Sequence, residues 1–192
     1  EHWMRLMQDG YDEGKEIVLW YGAYKKKPGL LNKLIRFETF HTALQYLTYA
    51  LSGNPYMGVG RNLSYKKQVF LRNKGFSSIN QVPSGDDDLF INQAATKKNT
   101  AILYTPESFT FSEPKTTFSS WVYQKRRHAT TAKFYKGFDK FQLGFFLFSQ
   151  ISFFVLAVIL LVFQYQWIII SSIIGFRYLF TWITLGYSAA KL

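Results

Sequence analysis

Leu30, Leu34, Phe37, Phe40, Leu44, Leu47 and Leu51 recur at intervals of three and four, which predicts a helix over 30–51 with those side chains on its buried face. Ser52-Gly53-Asn54-Pro55 ends it. Upstream, EIVLWYGAY (16–24) is a continuous β-branched and aromatic run that predicts one buried strand, closed by three lysines and Pro28-Gly29. Downstream, YMGVGRNLSYKK (56–67) sets Gly58 and Gly60 in a strand-like context, where backbone or ligand can approach closely. A helix is expected from the acids that follow Pro83-Ser84-Gly85 into LFINQAATKK, and a strand over TAILYTPESFTF (100–111). Another helix is expected over 116–131, burying Phe118, Trp121 and Val122. Strands and helices alternate, so the fold class is α/β, although the strands are too few to complete a sheet comfortably.

The pattern changes after Phe141. Residues 143–163 run without a charge, and 168–188 carry only Arg177. At 1.5 Å per residue each stretch spans a hydrocarbon core of roughly 30 Å. Two domains are therefore expected: a polar one over 1–141 and a transmembrane helical hairpin over 142–192, with Gln164 and Gln166 at its tip. Arg177 is costly in lipid and should face protein, water or headgroups.

Charge orients the hairpin. All twelve acids and twenty-one of the twenty-three Lys and Arg precede Gln142, and seven basic residues against Asp139 alone lie between Lys115 and Lys140. With Lys191 beyond the second span, both outer flanks should be cytoplasmic, giving a multi-pass protein of the cytoplasmic membrane. The same basic residues are sufficient to attract anionic lipid, so nucleic acid is not expected as a partner. The chain has no cysteine, which agrees weakly with a reducing compartment. His2 and His41 have no partner at metal-ligand spacing, so zinc is not expected.

Against this basic background, SGDDDLF (84–90) places three carboxylates side by side. Acids at a helix start accept from free N–H groups, which is one use. Crowded like charges also raise the affinity of at least one for a proton, so general-base work and binding of a hard cation are the others. QKRRH (124–128) sets Gln124, Arg127 and His128 on one helical face, where an Arg fork and an amide can hold phosphate oxygens or merely face lipid headgroups. GVGRN supplies Gly60, Arg61 and Asn62 without a complete nucleotide-binding fingerprint. An aromatic content of 19% leaves surfaces on which sugar rings can stack.

In order, YMGVGRNLSYKK, SGDDDLF, QKRRH and membrane helices resemble the processive-type family 2 glycosyltransferases, which include cellulose, chitin and hyaluronan synthases, and especially membrane-bound bacterial members of unassigned product. The resemblance implies a GT-A (nucleotide-diphospho-sugar transferase) fold and inverting transfer from a nucleotide sugar to a glycan or lipid-linked acceptor. Matched to the family's Gly-Glu/Asp-Asp motif, Asp87 is the implied base and Asp86 stands beside it. Matched to Gln-x-x-Arg-Trp, Gln124 and Arg127 contact the donor diphosphate, and His128 stands where Trp is expected. Gly60, Arg61 and Asn62 correspond to the stretch beside the acceptor. The implied cofactor is Mg²⁺ or Mn²⁺, held mainly by an Asp-x-Asp expected upstream, so the chain is read as the C-terminal half of such an enzyme, lacking the donor-binding half, with no metal ligand of its own and not expected to catalyse alone. A membrane-anchored basic module without enzymatic activity is the alternative.

Overall fold

The computed structural model describes residues 2–82 and 84–192, leaving out the side chains of His2 and Glu13. Pro83, which precedes the acids in sequence, Glu1, at the opening of the polar stretch, and the His2 side chain thus lie outside the described residues. The chain divides into two compact units, one ending at Lys136 and one spanning Gly137–Lys191.

The first unit runs α1 (His2–Asp9), β1 (Ile17–Leu19), β2 (Gly22–Tyr24), α2 (Leu30–Leu51), β3 (Leu63–Tyr65), α3 (Lys67–Arg72), α4 (Asp86–Ala94), β4 (Thr100–Ile102), β5 (Thr110–Ser112) and α5 (Phe118–Ala129). It is a mixed α/β unit with small sheets. β1 is the middle strand of three: β3 pairs with it antiparallel and β4 parallel, while β2 and β5 form a separate parallel pair. Ile17, Val18 and Leu19 are wholly buried, as a central strand of apolar residues should be.

The run 16–24 is therefore two strands, not one. Its β-propensity is continuous, but the chain leaves the first sheet at Trp20 and Tyr21, and their carbonyls are satisfied by side chains. Tyr46 Oη donates to the Trp20 carbonyl at 2.5 Å, and Asn62 Nδ2 donates to the carbonyls of Tyr21 at 2.9 Å and Ser108 at 2.8 Å. These bonds replace the ladder where the strand breaks. The run 100–111 is likewise split, with a 3₁₀ turn at Pro106–Ser108 between β4 and β5.

The second helix has the expected bounds but a different buried face. Asn32, Ile35, Thr39, Ala43, Tyr46, Leu47 and Ala50 face inward, whereas Leu30, Leu34, Phe37 and Leu51 are exposed. Both stripes have helical spacing. The inward one is chosen by its polar partners: Asn32 Nδ2 donates to the Lys25 carbonyl at 3.1 Å, and its Oδ1 accepts from Lys27 N at 2.8 Å. Gly53, with φ of +94°, ends the helix as the sequence indicates. In α5 the expected burial is also overturned: no residue is buried, and Phe118 and Val122 are exposed. Thr117 caps that helix by accepting from Ser120 N.

The second unit holds α6 (Gly137–Val162) and α7 (Trp167–Ala189), both long and apolar enough to cross a membrane. The first begins six residues before the uncharged stretch, because Asp139 and Lys140 do not interrupt helical hydrogen bonding. Gln164 and Gln166 adopt positive φ at the turn between the helices. Arg177 donates to Gln150 Oε1, and its guanidinium lies 4.1 Å from the Phe153 ring centroid. The cation is thus turned toward the neighbouring helix, where an amide and an aromatic face replace part of its hydration.

Asn62→Ala should destabilise the polar unit by about 1–3 kcal/mol, since it strands two buried carbonyls. A thermal midpoint equal to that of the unaltered protein would show that those carbonyls need no partner.

Candidate active site

Gly85 precedes α4 with φ of +90°, a left-handed conformation that favours glycine. Steric room decides the matter as well: a Cβ there would lie 2.5 Å from Asp88 Oδ1 and 2.5 Å from Thr131 Cγ2. The turn delivers three acids into three different environments. Asp86 is exposed, Asp87 is half-buried and Asp88 is buried.

Asp87 is held from both sides. Its Oδ2 accepts from Gly60 N at 2.6 Å, and its Oδ1 accepts from Asp88 N at 2.9 Å. Gly60 permits that approach, since a Cβ would stand only 3.1 Å from Asp87 Cβ and Oδ2. A Cβ at Gly58 would likewise stand 3.1 Å from Ile91 and Leu19 and 3.2 Å from Leu63, so the two glycines let the loop press onto α4 and the first sheet.

Asp88 points the other way. Its Oδ1 accepts from Leu89 N, and its Oδ2 lies 2.8 Å from both Thr131 Oγ1 and Tyr135 Oη. Burial pushes the Asp88 carboxyl above its usual range; the two hydroxyls pull it down, and the Asp87 charge adds to the rise. Burial and Asp88 together push the Tyr135 phenol upward, so it remains protonated.

The opposite wall is α5. Gln124, Arg127 and His128 share a face three and four residues apart, and all three line one cleft of about 630 Å³ with Asp86, Asp87, Asp88, Gly60 and Arg61. Burial lowers the His128 affinity for a proton; the Asp87 charge raises it, and Lys125 and Arg127 lower it. A neutral imidazole is therefore favoured near neutral pH. Arg61 sets its guanidinium 4.1 Å from the Tyr24 ring centroid, and Gln124 Nε2 lies 3.5 Å from Tyr24 Oη.

Asn62 is the exception among the sequence-selected residues. It is 2% exposed, does not line the cleft, and serves the strand break described above. Several lining residues escaped the sequence reading. Tyr24 ends β2, and Glu38 forms an ion pair with Lys125 that ties α2 to α5. Tyr135 lies beyond α5 and meets the acids only through tertiary packing. No local pattern marks these contacts, which depend on residues 43 to 100 positions apart.

The carboxylates do not converge. Among the described residues no group of three or more His, Cys, Asp or Glu could hold a metal ion. Asp88 is turned to hydroxyls and Asp87 to two amides, so the donor set does not fit a divalent cation, which needs several convergent oxygens. What the arrangement can do is present a fixed carboxylate opposite a cationic, amide-bearing helix face.

The model of glycosyl transferase family group 2 matches residues 20–191, which covers every element of this cleft. The chain belongs to that family. Membership implies a nucleotide-sugar donor and an acceptor. No curated protein and no solved structure matches the chain.

The raised Asp88 carboxyl fixes a pH dependence. Folded Asp88 holds its proton more tightly than the unfolded chain does, so its stabilising contribution is full below the unfolded carboxyl range and is lost as pH rises through the folded value. Relative to Asp88→Asn, the thermal midpoint in detergent should fall as pH rises from 4 to 7. A constant difference across that range would mean that Asp88 titrates alike in both states.

Proposed function

We propose that the protein is an inverting glycosyltransferase acting at the cytoplasmic face of a membrane. The observation that carries this reading is the shared cleft: Asp87, fixed by Gly60 N and Asp88 N, lines the same space as Gln124 and Arg127. An acceptor hydroxyl entering between them loses its proton to Asp87 as its oxygen bonds to the anomeric carbon. The bond from that carbon to the diphosphate breaks on the opposite side, so configuration inverts and the nucleoside diphosphate departs with the electron pair. Each Asp87 oxygen already accepts one amide bond and keeps a lone pair for the incoming proton. The transition state gathers positive charge at the sugar and negative charge on the leaving group. Arg127 supplies a planar, permanently charged fork to the phosphate oxygens, and the Gln124 amide adds a neutral donor.

Neutral His128 stands on this face where the synthases carry Trp. It gives the acceptor a hydrogen-bonding edge with a smaller stacking surface. Arg61, Gly60 and Asp86 border the acceptor side. The family resemblance points to a processive synthase-like enzyme with GT-A architecture, and to a glycan or lipid-linked acceptor. Mg²⁺ or Mn²⁺ is the cofactor that resemblance implies; it would neutralise the diphosphate through donors other than the three acids. The two apolar helices, flanked by the basic residues between Lys115 and Lys140, support a membrane anchor with its catalytic unit in the cytoplasm.

With the donor-binding half present, Asp87→Asn should lower sugar transfer by roughly 10²- to 10⁴-fold with UDP or GDP affinity unchanged, the signature of a lost base. Turnover surviving that change removes Asp87 from the chemistry. Arg127→Ala should weaken nucleoside diphosphate binding by about 1.5–3 kcal/mol, or roughly tenfold to a hundredfold, measured by calorimetry. Salt-sensitive liposome binding that is indifferent to both substitutions, with no nucleotide affinity, would instead mark a basic membrane module.

A further inference from the structure

We propose that Asp88 is a positioning residue for glycosyl transfer: its inward carboxyl latches the start of α4 to Thr131 and Tyr135 and so fixes Asp87 against the wall formed by α5. The role rests on the transferase reading and on a bonding pattern separate from the one that holds Asp87.

Asp88 is 6% exposed, and no ion pair among the described residues includes it. A buried carboxylate without a cation is costly unless it is neutral or fully bonded. Thr131 Oγ1 lies 2.7 Å from the His128 carbonyl and 2.8 Å from Asp88 Oδ2, yet it has one proton to give. The carbonyl can only accept. The His128 carbonyl also receives the Thr131 amide at 3.1 Å, and the neutral form of Asp88 is the one that lets both Thr131 hydroxyl contacts be made at once. A protonated Asp88 satisfies every member in series: Tyr135 O–H donates to Asp88 Oδ2, Asp88 Oδ2–H donates to Thr131 Oγ1, and Thr131 O–H donates to the His128 carbonyl.

The charged and titratable groups facing this chain are Asp87 on the same helix, His128 with Lys125 and Arg127 on α5, and Tyr56 against the Tyr135 ring. Of these only Asp87 adjoins the carboxyl directly in sequence, and its negative charge opposes a second anion beside it. A neutral Asp88 avoids that second charge beside the base.

The latch ends on the carbonyl of His128, in the last turn of α5, and begins one residue after the base. It therefore sets the distance between the two cleft walls through a single side chain. Gly85 is part of the same fit, because any Cβ there would press on Asp88 Oδ1 and Thr131 Cγ2 together.

The test uses this chain joined to the donor-binding half that the resemblance places upstream, in detergent or vesicles, with a panel of UDP- and GDP-hexoses and release of the nucleoside diphosphate as readout. Asp88→Ala and Thr131→Val should each lower kcat at least about tenfold with donor KM within about twofold, since the base is displaced while the phosphate clamp persists. Asp88→Asn should rescue turnover to within about threefold of the unaltered enzyme, because its amide donates to Thr131 while its oxygen accepts from Leu89 N. If Asp88→Ala does not fold, the pair Asp88→Asn and Thr131→Val decides on the same criteria. An active Asp88→Ala, an Asp88→Asn as inactive as Asp87→Asn, or a donor KM that rises in step with the loss of kcat overturns the positioning role alone. If the unaltered chain, joined to the donor-binding half that the resemblance places upstream, releases nothing from any donor, the transferase reading falls and the role with it.

Discussion

The main-chain amide of Gly60 meets the carboxylate of Asp87 at 2.6 Å, and the arrangement of the cleft depends on that contact. It requires a loop without side chains at positions 58 and 60, an α4 helix that starts on a left-handed glycine, and a strand β3 that anchors the loop beside β1. Each requirement has its own local cause. Together they turn a helix terminus into a carboxylate of fixed direction. An acid that merely capped a helix would bond its own amides; this one spends one oxygen on its own helix and the other on a distant loop.

Charge is distributed with equal economy across the rest of the site. Of three consecutive acids, Asp86 is exposed on the cleft wall, Asp87 is fixed there by two amide bonds, and Asp88 is withdrawn among hydroxyls. On the facing helix, Lys125 is tied to Glu38 and burial keeps His128 toward its neutral form, leaving Arg127 as the fixed cation of the sequence-selected triad. A cleft so balanced suits the proposed transfer, with a diphosphate on one side and a hydroxyl on the other. The same side chains, scattered on a surface, would only attract anions.

Much of this was legible in the sequence, and the residues that were not share a physical reason. The bounds of α2 follow from period and from Gly53, because both are local. Its buried face does not, since Leu30, Leu34 and Phe37 match helical spacing as well as Ile35, Thr39 and Ala43; the choice is made by Asn32 and Tyr46 reaching main-chain carbonyls of another segment. The strand break at Trp20 is invisible for the same reason. The cleft residues Gly60, Arg61, Asp86, Asp87, Gln124, Arg127 and His128 lie in three short motifs that stand out in the sequence, and the fold brings them to one cleft. Asn62 belongs to one of those motifs, but its side chain serves the fold. Tyr24, Glu38 and Tyr135 carry no motif, and only tertiary packing places them.

The most direct test of the shared cleft exploits the absence of cysteine from the chain. Asp86→Cys and His128→Cys introduced together place one thiol on each wall, and a short bifunctional maleimide reports whether they face the same space. Convergent walls give an intramolecular cross-link that UDP suppresses. Two thiols that react freely but never cross-link would put the acids and the α5 face on separate surfaces and contradict the cleft.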